Sequence, residues 1–302
     1  MSNENKSVFN IFTDAVGIYI QHLPTFVKYM TFPIFGQIFG IILSLVIPLA
    51  FAYNGSNVVS DSTSILPITL ILTIPGLIIF TKAFFKYLIA YVSISSMTEN
   101  TTKSGRIYDI SAHEKVATKR MQDFIGVWLL FGLFTLIAIL PPMWFFGALI
   151  FVFFVLIFQV FAFEKKLTPM ECFKRSWQLV QMDFLRTLGL LALVGVVTYW
   201  LLPKIADIIL SALQIMKLFA MLLDPMLVDV INSWNTTLEA LNMPFVITSL
   251  MITEMIVGSI CSTIVICYTL PLRSIVWTLW YKHLCIMEIK SKPKKKKAKT
   301  DV

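Results

Sequence analysis

The chain predicts an all-α, polytopic membrane protein with six transmembrane helices and amphipathic interfacial helices between them. Three observations carry this expectation. Only 14% of the 302 residues are charged and 57% are hydrophobic, whereas a soluble domain carries about 25% charged residues. Long stretches, from Tyr29 to Ser60 and from Phe124 to Phe163, contain no Asp, Glu, Lys or Arg. The connections between such stretches alternate between rich and poor in Lys and Arg. With a mean hydropathy of +0.80, most of the surface must face a solvent other than water.

A bilayer core about 30 Å thick needs roughly 20 apolar residues of helix. The first span falls at about 33–52, after a polar N-terminus (MSNENKS) that lacks the form of a signal peptide. The second, 65–94, runs past Lys82 and Lys86, whose stems can snorkel toward an interface. Pro141-Pro142 divides the Phe124–Phe163 run into spans at 124–140 and 143–163, because proline lacks an N–H and clashes with the preceding turn. The fifth, 187–202, stops ahead of Pro203, and the sixth covers 245–270 with Glu254 inside it. Residues 204–243 are apolar but carry Asp207, Lys217, Asp229 and Glu239. They read as an amphipathic pair of helices lying on the membrane, with a re-entrant segment or a seventh span as competitors. One membrane domain thus covers 1–289, followed by a disordered polybasic tail, 290–302.

Charge sets the orientation. Segment 53–64 has no Lys or Arg, segment 96–123 has five, the turn at Pro141 has none, and segment 164–186 again has five. In 204–244, Lys204 and Lys217 are outnumbered by four carboxylates, and the tail is strongly basic. Six spans with both termini cytoplasmic satisfy every connection. The expected location is the plasma (inner) membrane of a prokaryote.

Three predicted cytoplasmic segments resemble one another: 14–27, 113–125 and 169–185. In the last, Phe173, Trp177, Val180 and Phe184 recur at helical spacing, with Lys174, Arg175 and Gln178 between them. This predicts an interfacial helix with Arg175 free to meet lipid phosphate. The pattern reads as three units, each an amphipathic helix followed by a two-helix hairpin. Any juxtamembrane helix at a charged interface would share these features.

The stretch Phe163-EKKLTPMECFKRSWQLVQMDFLRTLGLLALV resembles the central signature of prokaryotic multi-pass proteins related to the glycerophosphoryl diester phosphodiesterase membrane domain. Pro169, Phe173, Ser176, Trp177 and Phe184 occupy places of that signature, with Cys172 where an alanine is usual, and Leu279-WYKHLCI is similar to its late motif. The resemblance implies a membrane location and a fold. It implies no hydrolase, since no phosphodiesterase barrel is attached.

Chemistry-bearing constellations are sparse. His22, His113 and His283 lie in separate segments without a second ligand at helical spacing, and no catalytic or nucleotide-binding motif occurs. The four cysteines follow no metal-ligand spacing. No catalytic residue, metal, cofactor or nucleic-acid partner is expected. Glu254 is the candidate functional intramembrane residue, because an ionisable group at that depth is costly; the competing reading puts it at the outer interface, paired with Lys204 or Lys217. Asn54-Gly55-Ser56 and Asn235-Thr236-Thr237 match a glycosylation sequon. Lys294, Lys295, Lys296 and Lys297, with Arg175, are the candidate contacts to anionic lipid headgroups.

Two functions follow as expectations. One is a non-catalytic membrane protein that interacts with or organises the bilayer, or scaffolds partners. The other is a small transporter or permease component with Glu254 in a substrate or ion path. A cavity lined by polar residues at Glu254 favours the second; a closed apolar interior favours the first. The topology is testable directly: single cysteines at Ser56 and Asn235 should react with an impermeant thiol reagent added outside intact cells, and one at Ser104 should not. Labelling of the Ser104 variant from outside would overturn the six-span arrangement.

Overall fold

The computed structural model of the chain describes residues 7–54, 65–107, 109–141 and 144–291. The segment 55–64 and the tail that carries Lys294–Lys297 lie outside the described residues. Among the described residues there are helices and turns and no strand. In order they are α1 (Val8–Gln21), α2 (Leu23–Asn54), α3 (Ile65–Ser104), α4 (Ile110–Thr118), α5 (Met121–Ile139), α6 (Trp144–Phe154) and α7 (Ile157–Phe163). There follow α8 (Pro169–Met182), α9 (Phe184–Gly195), a π-helical turn (Val196–Leu201), α10 (Leu202–Ala212), α11 (Ile215–Ala240), α12 (Ser249–Tyr268) and α13 (Leu270–Ser291).

Six helical stretches are long and apolar enough to cross a membrane: Leu23–Phe51, Leu66–Ser104, Met121–Ala138, Phe146–Phe163, Phe184–Ala212 and Ser249–Lys290. A short helix (α1, α4 or α8) precedes the first, third and fifth of them. Their side chains are turned outward to a degree no water-soluble core would tolerate: Leu70, Leu129, Leu136 and Leu185 are all more than 60% exposed.

The chain divides into two compact units, Leu193–Thr269 and the remainder on either side of it. In the larger unit, α13 lies against α1, α3, α7 and α8. Its Trp280 is fully buried and donates from Nε1 to the Thr187 hydroxyl at 2.9 Å. Small polar residues line its contact with α3: Ser95 Oγ and Ser274 Oγ are 3.1 Å apart, and both hydroxyls reach the Tyr91 carbonyl. In the smaller unit, α12 packs on α10 and α11. Asn235 of α11 clips the approach to α12 by accepting from the Ile247 N–H at 2.8 Å and donating to the Ile247 carbonyl at 2.9 Å.

The α2–α3 seam is built by the absence of side chains. A Cβ on Gly40 would come within 2.5 Å of the Phe80 backbone nitrogen, one on Gly76 within 2.4 Å of the Ser44 nitrogen, and one on Gly36 within 2.8 Å of the Ala83 Cβ. In hydrocarbon no hydrophobic force pulls helices together, so close backbone approach and van der Waals contact must do so. Pro33, Pro48 and Pro75 are all accommodated within these two helices.

Several boundaries differ from the sequence expectation. α3 continues ten residues past 94, to Ser104, because Met97, Thr98 and Thr101 are buried by packing that runs on past the apolar stretch, with the Thr98 and Thr101 hydroxyls satisfied by carbonyls one turn back. The 143–163 run is broken between α6 and α7. The fifth helix does not stop ahead of Pro203. Proline removes an N–H and clashes with the carbonyl four residues back, and the turn before it opens to π geometry, with the Leu202 N–H reaching the Val197 carbonyl. Residues 204–243 are therefore the end of that helix plus the single helix α11, divided at Gln214, whose φ is +55°.

Alanine at Gly76 or Gly40 should lower the melting temperature in detergent micelles by an amount corresponding to about 1–3 kcal/mol of overpacking. Gly132→Ala and Gly189→Ala, where an added Cβ meets nothing within 4 Å, should leave it unchanged or slightly raised. Equal behaviour of the two pairs would refute the seam.

Candidate functional site

The signature segment around α8 acquires its meaning from its contacts. Thr168 and Glu171 form a capping box, in which the Thr168 N–H donates to Glu171 Oε2 at 2.7 Å and the Glu171 N–H donates to Thr168 Oγ1. These bonds from Thr168 hold the Glu171 carboxyl below its ordinary pKa. Pro169 opens the helix, where its missing N–H costs nothing. Cys172, Phe173, Ser176, Leu179 and Val180 form the buried stripe. Ser176 Oγ donates to the Phe153 carbonyl at 2.7 Å, and Trp177 stacks on the Phe153 ring at 3.9 Å. Phe173 and Val180, expected at headgroup depth, are thus packed on protein, with Trp177 at the edge of the contact and 41% exposed. Burial pushes the Cys172 thiol up to about 11, which leaves it an unreactive packing residue.

Arg175 is the centre of an ion network. Its Nε donates to Glu164 Oε1 at 2.9 Å, and Nη1 and Nη2 form a fork on the two Glu288 oxygens at 3.1 and 2.7 Å. The Tyr281 hydroxyl donates to the same Glu164 oxygen at 3.0 Å. Hydrogen bonding to Glu288 raises the guanidinium further above its already high pKa, so it remains a cation at every relevant pH. Its side chain retains 22% exposure.

Beside this network α3 near its C-terminal end, the end of α7 and the middle of α13 wall an open cavity of about 400 Å³. Ser96 and Glu99 of α3, Phe163 of α7, Lys165 just beyond it, and Tyr281 and Lys282 of α13 line it. The Ser96 hydroxyl and His113 Nδ1 are 2.9 Å apart. Burial lowers the His113 pKa below 6.5, so the ring is neutral at pH 7. In the sequence Lys165 and Lys282 stand out only as charges that orient the chain, Phe163 as the end of an apolar run and Tyr281 as part of the late motif; Lys165 lying two residues past Phe163 is the signal that marks the place.

Glu254 sits in the smaller unit, six residues into α12, and is exposed. It lines a second cavity, of about 460 Å³, with Lys204, Asp207, Ser211, Ser259 and Ser262. Lys204 Nζ lies 3.6 Å from Asp207 Oδ2, and Ser262 Oγ donates to Asp207 Oδ1 at 3.4 Å. No cationic side chain stands within 4.0 Å of Glu254 among the described residues: Lys204 shares its cavity but pairs with Asp207. The described residues hold no group of three or more His, Cys, Asp or Glu side chains suited to a metal ion. The Asn235 amide, part of a sequon, is engaged on both of its polar atoms by Ile247.

No family model matches the chain, and neither a curated protein nor a solved structure matches it.

Proposed function

We propose that the chain is a non-catalytic integral membrane protein that engages anionic lipid, or a partner held against it, through the face bearing α1, α4 and α8. One observation carries this reading. Most exposed cations of the larger unit lie in or beside those short helices, Lys28, Lys115, Lys119, Lys165, Lys166 and Lys174 among them, while Lys82 in α3 and Lys290 in α13 stand apart. In the smaller unit Asp224, Asp229 and Glu239 are exposed against Lys204 and Lys217. That asymmetry matches the charge bias of cytoplasmic loops, and we place this face and both termini in the cytoplasm, with the protein in the plasma membrane of a prokaryote. The resemblance of the α8 segment to the phosphodiesterase membrane-domain relatives agrees with a structural role, since Pro169, Ser176 and Trp177 are absorbed in capping and packing.

Anionic lipid should raise the melting temperature of the purified chain more than zwitterionic lipid does, and added salt should erase the difference, because the attraction is screened. The tail adds to it: a peptide of residues 290–302 should bind anionic vesicles, and replacing Lys294 to Lys297 by Ala should weaken that binding by about 1 kcal/mol per residue. Equal effects of neutral and anionic lipid on both would refute the reading.

The Glu254 cavity favours a second reading, a small transporter or permease component. Two carboxylates, an ammonium and three serine hydroxyls share one cavity on helices that are otherwise apolar, and an ionisable residue among membrane helices marks an ion or proton path by default. Its measurement is proton flux into proteoliposomes under an imposed potential. Flux lost in Glu254→Gln and Asp207→Asn would support a path; no flux in the wild-type chain would remove proton movement from its repertoire.

A further inference from the structure

The cavity walled by α3, the end of α7 and the middle of α13 carries two ammonium groups, Lys165 and Lys282, against one carboxylate, Glu99. Lys282 Nζ has one close polar partner, the neutral Thr102 hydroxyl at 3.1 Å. The carboxylate on the same wall, Glu99, is bound by Lys103 at 2.8 Å and is shared at longer range with Lys282. Glu164, adjacent in sequence to Lys165, is committed to Arg175 and Tyr281. Lys165 is exposed, and neither it nor Lys282 forms an ion pair within 4.0 Å among the described residues. Two ammonium groups therefore flank the cavity with their local carboxylates already taken. A half-buried ammonium that shares its nearby carboxylate with another lysine is under-compensated, so Lys282, with the exposed Lys165 at the rim, is prepared for an anion from outside.

Position selects the anion. The apolar stretch of the fourth span ends at Phe163, and Lys165 follows two residues later. The cavity thus opens where membrane hydrocarbon gives way to headgroups. The Phe163 and Tyr281 rings, stacked at 5.4 Å, give it an apolar wall. With His113 neutral and able to present Nδ1–H to Ser96, the Ser96 hydroxyl is freed to donate to a ligand. Compact point-charge ammonium groups with a hydroxyl suit a phosphate oxygen set.

We propose that this cavity binds the phosphate of an anionic phospholipid headgroup, gripped by Lys165 and Lys282 with Ser96 as hydroxyl donor. The proposal rests on the lipid-binding reading above and narrows it from a diffuse charged face to a single saturable site.

The test uses the full-length chain, delipidated in neutral detergent and titrated with phosphatidylglycerol while bound lipid is counted by native mass spectrometry. One lipid should bind more tightly than the rest. Lys282→Met and Lys165→Met should each weaken that first binding about tenfold or more, the scale of one charge-assisted hydrogen bond, and Lys282→Arg should restore part of it. Lys217→Met, exposed in the smaller unit and outside the cavity, should leave it unchanged. Each variant is compared by melting temperature, and a methionine variant that fails to fold is replaced by its glutamine counterpart, which also removes the charge. Phosphatidylcholine binding as tightly as phosphatidylglycerol would overturn the proposal, and so would inorganic phosphate displacing the lipid at equal concentration, which would mark a free-phosphate site. Tight anionic binding that persists in both lysine variants but vanishes with salt sinks the cavity alone. Absence of any anionic preference sinks the broader reading as well.

Discussion

The larger unit depends on one guanidinium. Arg175 of α8 reaches Glu164 at the end of α7 and Glu288 near the end of α13, so it joins pieces of chain more than a hundred residues apart. Each of the two carboxylates keeps less than a third of its exposure. Such a network is worth more as a constraint than as a source of stability. Forming it costs desolvation that roughly offsets the attraction, yet removing the cation would leave two half-buried negative charges facing each other. The fork geometry on Glu288 also fixes the rotation of α8 about its axis, which sets the buried stripe and puts Trp177 at its edge.

The two cavities differ in how their charges are balanced. In the smaller unit Lys204 and Asp207 are paired, which leaves Glu254 as an extra carboxylate on the wall. In the larger unit Glu99, Glu164 and Glu288 are taken by Lys103 and Arg175, and the lysines are the surplus. One site is thus biased toward cations or protons and the other toward anions, a difference that net charge alone would not reveal.

Much of the architecture was legible in the sequence, and the reasons are local. A charge-free run such as Phe124–Phe163 states its own solvent, and Pro141-Pro142 states its own interruption. What was not legible depended on partners. Pro203 reads as a terminator until the preceding turn opens to π geometry and carries the helix through. Arg175 reads as a cytosolic cation because nothing in the spacing of α8 points to Glu288, 113 residues on. Phe173 and Val180 were correctly placed on one helix face, but hydropathy does not distinguish a face that meets headgroups from one that meets Phe153 and Phe154. Glu254 stands out by its cost in an apolar run, whereas Lys165 just past a span, and Lys282 in a basic C-terminal region, read as ordinary topology charges.

The α2–α3 seam has an implication for descent. Its specificity is written in three missing side chains, Gly36, Gly40 and Gly76, while residues on the outer flank of α2, such as Ile41, Leu45 and Leu49, stand exposed and answer only to the requirement of being apolar. Lineages could exchange the outward-facing residues of these two helices and keep the same joint. Divergence of that kind erases similarity far faster than it erases shape, and kinship among such chains is better sought in the spacing of a few glycines than in the residues between them.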